Sequence, residues 1–285
     1  VSGDFLAGMA AASRARSQAA QSQLPAHELR ARIADLPATP RLKLGGFDLI
    51  AEVKLRSPAM GLLKVAAEED VGARVATYAR GGAAAVSILT EPSRFDGSLA
   101  DLAAGARALE PLAVPAMRKD FLVDAYQVLE ARVAGAGGVL AILRMLPRAE
   151  LEQLIDAALA LDLFVLLEAF DAPDIELAHA LVDARRVHAG LLLVGVNSRD
   201  LTTLEVVPGR LDALAASLPT VVRRVAESGV TTPADAGRAA ANGYDLALVG
   251  GALMSAPDPA ALTRAMLAEA RATVATRAAL VAGRA

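Results

Sequence analysis

The stretch Asp48-Leu-Ile-Ala-Glu-Val-Lys54, continuing as Leu55-Arg56-Ser57-Pro58, decides between two folds. Its nearly unbroken apolar run marks a parallel strand covered on both faces, since a half-exposed antiparallel strand would alternate. An open nucleotide-binding sheet would follow its first strand with G-x-G-x-x-G, whose glycines let a pyrophosphate approach the backbone. No such glycines follow Lys54. Working outward, seven more apolar runs recur at residues 84–90, 114–120, 138–143, 164–170, 191–197, 221–228 and 246–250. Each gap holds enough chain for one helix and two loops. Residues 124–134, 148–161, 172–185 and 232–242 show helical periodicity and open on acidic, Thr or Pro residues, as helices do. Several such stretches run out into Gly135, Gly190 or Gly243. Eight strand–helix units without the open-sheet signature predict closure, an α/β fold of the (β/α)8 TIM-barrel kind. Residues 1–46 precede the first strand, with helix-like segments around 5–21 and 25–35. They read as a helical N-terminal extension capping a barrel of residues 47–285. One domain is expected for the whole chain, because strand–helix barrels routinely reach this length undivided.

Composition narrows the function classes. Hydrophobic residues make up 54% but aromatics only 3%, with no Trp, so the core must be built from Ala, Val, Leu and Ile. Lys and Arg number 29 against 32 Asp and Glu, a net charge of −3 that offers no footprint for nucleic acid. The absence of Cys excludes disulfide frameworks, Cys-based zinc sites, iron–sulfur clusters and thiol nucleophiles, and fits a cytoplasmic protein. No stretch reaches about 18 apolar residues free of charge and turns, so no membrane span is expected. The first 23 residues lack the basic start and compact apolar run of a signal peptide.

Barrel enzymes place their chemistry at the carboxyl ends of the strands, where eight loops converge over a packed interior. Those ends carry Glu52 and Lys54 on the first strand, Lys119 on the third and Glu168 on the fifth. Asn197 and Arg199 end the sixth, Glu227 and Ser228 the seventh. A charged side chain in a strand covered on both faces costs several kcal/mol unless paired or touching ligand, so the cluster needs an explanation. A ring of structural ion pairs is one. An acid–base site is the other, because burial moves lysine and carboxylate pKa values towards neutrality and neighbouring charges shift them further. A lysine in such a mouth also suits Schiff-base formation, and spacing does not decide between these. Gly229 after the seventh strand and Gly250-Gly251 after the eighth fit the position where barrels bind phosphate. His27, His179 and His188 lie away from the strand ends and read as surface or packing residues. Arg185-Arg186 reads as a solvated helix face, Arg223-Arg224 as a strand entrance, and Lys64, Glu68, Glu69 and Asp70 as a helix start without metal.

Seven segments in order resemble one family. They are Ile50-Ala-Glu-Val-Lys-Leu-Arg-Ser-Pro58; Ser87-Ile-Leu-Thr-Glu-Pro92 with Phe95-Asp-Gly-Ser-Leu99; Arg118-Lys-Asp-Phe-Leu-Val-Asp124 with Tyr126-Gln; Leu167-Glu168; Gly195-Val-Asn-Ser-Arg-Asp-Leu201; Ala226-Glu-Ser-Gly-Val-Thr-Thr-Pro233; and Leu248-Val-Gly-Gly-Ala-Leu-Met254. The resemblance is to indole-3-glycerol phosphate synthase of tryptophan biosynthesis. It implies a lyase that closes the indole ring of 1-(2-carboxyphenylamino)-1-deoxyribulose 5-phosphate, releasing carbon dioxide and water with no metal or organic cofactor. By the same resemblance Lys119 and Lys54 are essential acids, and Glu168 and Glu52 accept a proton or stabilise charge on the aniline nitrogen. Asn197, Arg199, Glu227 and Ser57 orient the substrate or hold the lysines. Ser228, Gly229, Gly250 and Gly251 cradle the phosphate, with Ser228 also counted among the catalytic residues. Phe121, Leu140 and Leu248 fit both an anthranilate pocket and ordinary core. Residues 56–63 are similar to the family's mobile loop, which closes over the ligand. The expected partner is a small phosphorylated substrate, with no nucleic acid or membrane, and the chain is expected as a monomer or weak homodimer.

The chain also departs from the family's pattern. Phe170 stands where His is usual, Ser198 replaces a second Asn, and Gly251 replaces a Glu, Ser or Thr. Ala59-Met60, Val207 and Ala125 are further departures. None removes an expected acid or base. A copy serving a modified anthranilate, another phosphate-binding barrel activity and a non-catalytic phosphate-binding barrel are the competing readings.

Overall fold

A computed structural model describes residues 2–57, 61–64, 69–201 and 203–282. Eight parallel strands close on themselves: β1 (Asp48–Val53), β2 (Ala85–Leu89), β3 (Ala116–Lys119), β4 (Gly138–Ile142), β5 (Phe164–Ala169), β6 (Leu192–Asn197), β7 (Arg223–Glu227) and β8 (Leu246–Val249). Closure is explicit at β1, which pairs with β2 on one edge (Glu52 beside Ser87) and with β8 on the other (Ile50 beside Leu248). All eight expected strands form, and a helix follows in each of the four stretches read as helical.

The strands read as continuous apolar runs because each face has its own core. Residues of one parity, such as Leu49, Ala51 and Val53 of β1 or Val165 and Leu167 of β5, pack outward in the layer beneath the helices. Residues of the other parity, Ile50, Met117, Leu140, Leu166, Leu193, Val225 and Leu248, fill the barrel interior. Towards the carboxyl ends the inward parity turns polar: Ile50 is followed two residues on by Glu52, Met117 by Lys119, Leu166 by Glu168 and Val225 by Glu227. Period-two alternation therefore aims all of these side chains into one mouth.

Two helices precede the barrel, α1 (Ser2–Gln23) and α2 (Ala26–Ala34). Leu6 and Met9 of α1 join the interior cluster from above. Further along, α1 is bound by polar contacts: Ser17 Oγ donates to Asp124 (2.7 Å), Gln127 Nε2 donates to Ser13 Oγ (2.9 Å) and Arg16 pairs with Asp120 (2.9 Å). In α2, Leu29 packs on Tyr126 and Leu129. One expectation is corrected: Arg185 is no solvated residue but is 8% exposed and forked onto Asp156, whose carboxylate takes both its Nε and NH2. Arg223 and Arg224 meet Asp245 at the strand entrance, as expected. The three histidines are exposed. Asp70 caps the helix Val71–Arg80 and Glu69 pairs with Arg74, while Glu68 lies outside the described residues. Among the described residues no helix is long and apolar enough to cross a membrane.

Candidate active site

The inward-facing charges converge on Lys119. Its Nζ lies 3.3 Å from Glu52 Oε2, 3.4 Å from Glu227 Oε2 and 4.0 Å from Glu168 Oε1. Three strands, β1, β5 and β7, thus aim a carboxylate at one ammonium offered by β3. Lys54, just past β1, reaches the other oxygen of Glu52 at 2.8 Å. Asn197 at the end of β6 donates to Glu168 Oε1 at 2.8 Å and accepts from the Arg199 amide at 2.9 Å, tying the carboxylate to the next loop.

Above this cluster opens a cavity of about 370 Å³. Every residue expected at the site lines it except Glu227, which lies beneath the floor, 1% exposed, and touches Lys119 from below. Towards β7 and β8 the lining is Ser228, Gly229, Gly250 and Gly251. Ser228 and Gly229 both take left-handed backbone (φ 63° and 76°), which turns the chain sharply as it leaves β7. The opposite wall is apolar. Phe121 and Leu140 line it, Leu248 lines the cavity from β8 beside Gly250, and all three also belong to the interior cluster, so each is both cavity lining and core.

Sequence reasoning missed two aromatic members of that wall. Phe5 of α1 meets Phe121 edge to face at 6.0 Å, and Phe95, from the loop after β2, sits 6.2 Å from the same ring. The available signal was scarcity: the chain has only six Phe, and one of them stands in the N-terminal extension. Of the loop expected to be mobile, Arg56–Ser57 pairs antiparallel with Gly61–Leu62 and Arg56 bridges to Asp96 at 2.7 Å. Ala59 and Met60 lie outside the described residues.

The electrostatics follow from burial and neighbours. Burial opposes ionisation of Glu52, but Lys54 and Lys119 outweigh it and hold its pKa at about 2, below the ordinary 4.5. Burial likewise works against the Lys119 ammonium, and Glu52, Glu227 and Glu168 together overcome it and raise its pKa well above the usual lysine value. Glu227 goes the other way: burial, then the neighbouring Glu168, push its pKa well above the carboxylate range despite Lys119. The floor thus holds one firmly ionised carboxylate, one fully protonated amine and one carboxyl that favours its neutral form.

A family model described as indole-3-glycerol phosphate synthase matches residues 7–266. The chain belongs to the indole-3-glycerol phosphate synthase family. The curated indole-3-glycerol phosphate synthase of a Nocardioides species is 43% identical over 243 residues, covering 84% of this chain and 88% of that protein. The synthase of Micrococcus luteus is 45% identical over 223 residues, 78% of each. Among solved structures, thiamine phosphate pyrophosphorylase from Pyrococcus furiosus is similar in fold, with a TM-score of 0.58 at 16% identity over 80% of this chain and 97% of that one. Phe170, where the synthase pattern usually has His, belongs to the interior cluster but does not line the cavity: Arg144 lies over its ring at 4.9 Å and its amide donates to Asp174.

Proposed function

We propose that this protein is an enzyme, an indole-3-glycerol phosphate synthase, converting 1-(2-carboxyphenylamino)-1-deoxy-D-ribulose 5-phosphate to indole-3-glycerol phosphate by ring closure, decarboxylation and dehydration. The observation that carries this reading is the Lys119 ammonium caged by Glu52, Glu168 and Glu227 under a cavity with an aromatic wall on one side and glycine-rich turns on the other.

Ring closure joins the carboxylate-bearing ring carbon to the ribulose carbonyl carbon. The carbonyl oxygen takes up a proton as its π electrons move onto it, and the aniline nitrogen becomes iminium-like. Carbon dioxide then leaves, and its electron pair returns to the aromatic ring and discharges the nitrogen. Finally the new hydroxyl departs as water with a second proton, while the neighbouring methylene gives up a proton to a base and the indole double bond forms. Lys119 and Lys54 are the two acids in this scheme. Glu52 and Glu168 are the carboxylates that stabilise the cationic nitrogen and take the proton, Glu168 being oriented by Asn197. Ser57, Arg199 and Glu227 orient the substrate or the lysines. Ser228, Gly229, Gly250 and Gly251 receive the phosphate, with Ser228 also counted among the catalytic residues, and Phe121, Leu140 and Leu248 flank the anthranilate ring. A Schiff-base lyase needs a neutral amine, which the three carboxylates around Lys119 disfavour.

A small phosphorylated substrate as partner, a cytoplasmic location, a monomer or weak homodimer, and one domain comprising the extension and the barrel complete the proposal. The test is indole fluorescence on mixing the purified protein with the substrate, since the chain has no Trp to mask the product. Growth of signal is expected. Phosphate-dependent binding without any signal would overturn the reading in favour of a barrel that only binds.

A further inference from the structure

We infer that Gly195 and Gly250 are positioning residues, two side-chain-free slots that seat the carboxyl groups of Glu227 and Glu52 against Lys119. The inference rests on the synthase reading above for its catalytic consequence, but the slots themselves are geometric. Each of the two carboxyl groups directs Oε2 to the Lys119 ammonium, at 3.4 Å and 3.3 Å, and Oε1 into the space over a glycine. A methyl at Gly195 would overlap Glu227 Oε1 and lie 3.1 Å from its Cδ. A methyl at Gly250 would overlap Glu52 Oε1 and lie 3.1 Å from Lys54 Nζ.

Gly195 has the inward parity of β6, between Leu193 and Asn197, and stands beside Glu168 of β5. One layer below, that parity is held by large side chains such as Leu166 and Leu193, whereas Gly195 leaves its place to the carboxyl of Glu227. The buried Glu227 Oε1 has no hydrogen-bond partner among the described residues. The slot over Gly195 gives this oxygen its room, beside the neighbouring Glu168. Lys119 is faced by Glu52 from β1, Glu168 from β5 and Glu227 from β7, with Lys54 behind Glu52, so moving Glu227 removes one of the three carboxyl groups that seat the ammonium.

The test is Gly195→Ala, chosen because Gly250 also lines the proposed phosphate side. The nearest atoms to the new methyl belong to the side chains of Glu227 and Leu166, so the backbone can stay in place if the Glu227 carboxyl leaves its slot. Expected are a roughly ten- to hundredfold loss in kcat and affinity for the product within about twofold. Glu227→Asp, one methylene shorter, should clear the methyl, so the double variant loses less than the product of the two single losses in kcat. Its urea midpoint likewise falls by less than the sum of the single shifts. Unchanged turnover in Gly195→Ala, or strictly additive effects, overturn the inference. If Gly195→Ala alone fails to fold while the double variant folds, the clash with Glu227 is demonstrated. If neither folds, the glycine serves packing alone and the inference falls. Absence of indole product from the unsubstituted protein would refute the synthase reading only, and the urea cycle would still decide the slot.

Discussion

Replacing Glu52 by Gln tests the electrostatics of the lysine cage through stability. The carboxyl is 3% exposed and lies between Lys54 at 2.8 Å and Lys119 at 3.3 Å, which hold its pKa at about 2 against 4.5 for the free side chain. At about 1.4 kcal/mol per tenfold change in proton affinity, that difference is worth roughly 3 kcal/mol. The folded value is depressed, so the stabilisation is complete above pH 4.5 and is lost as the pH falls through 2. About three fifths of it is gone by pH 3, since the unfolded carboxyl is by then nearly all protonated and the folded one is not. Glu52→Gln should therefore be destabilised by roughly 3 kcal/mol at pH 7 and by only about 1 kcal/mol at pH 3. Urea unfolding followed by circular dichroism at stepped pH values measures both curves. A gap that stays constant from pH 7 to pH 3 would show that the lysines do not hold Glu52 ionised, and the cage as drawn would be wrong.

Glu227→Gln should show the opposite slope. A carboxyl whose folded pKa is raised adds stability at pH values below its unfolded pKa and loses it as the pH climbs towards the folded value, so the variant should gain on the native protein as the pH rises from about 5; parallel melting curves would refute this. Lys119→Met should cut kcat by at least about a thousandfold while product affinity stays within about tenfold, as befits a group needed mainly in the transition state; an unchanged rate would remove Lys119 from the chemistry. Phe5→Ala should weaken binding of the indole product about three- to tenfold through the lost edge-to-face contact with Phe121 and leave inorganic phosphate binding unaltered, which titration calorimetry can separate. Arg16→Ala should lower unfolding stability by about 1–3 kcal/mol, because Asp120 is 3% exposed and keeps only part of its network; a loss below about 0.5 kcal/mol in a denaturant melt would count against α1 being held there.

The barrel was legible because its physics is periodic. Parallel strands covered on both faces must be apolar at both parities, so eight runs stood out, and each charged residue near a run's end marked the mouth. Parity could have sharpened this further: Glu52, Lys119, Glu168 and Glu227 each stand two residues after an interior apolar residue, which already puts them on one side of the wall. The role of α1 was less legible. Its buried side includes Ser13 and Ser17, held by Gln127 and Asp124 from distant parts of the chain, so no apolar stripe announces a docked helix. Phe5 reaches the cavity only through that docking. Arg185 was misread for a related reason, since a basic pair looks solvated until Asp156, on another helix, is brought against it.

The places where this chain departs from the synthase pattern bear on which substrate it serves. Ser198 gives both its amide and its hydroxyl to the Glu227 carbonyl, at 2.9 Å and 3.2 Å, which braces the exit of β7 behind the cavity. The Val207 amide donates to the Ser198 carbonyl at 2.8 Å and extends the same brace. Ala125 follows Asp124, whose side chain caps the helix Ala125–Val133 and also anchors Ser17. Phe170 packs under Arg144. None of these four lines the cavity, whereas Phe5, Phe95 and Phe121, the residues a ring substituent would meet, do. Gly251 does line it, but alongside Ser228, Gly229 and Gly250, away from the aromatic wall, and the loss of a side chain there widens the end proposed for phosphate. Selection for a modified ring would act first on the aromatic wall. Among the described residues the departures instead fall outside the cavity or at the glycine-rich end, which is the pattern of a synthase that has changed its supports while keeping its lysine cage.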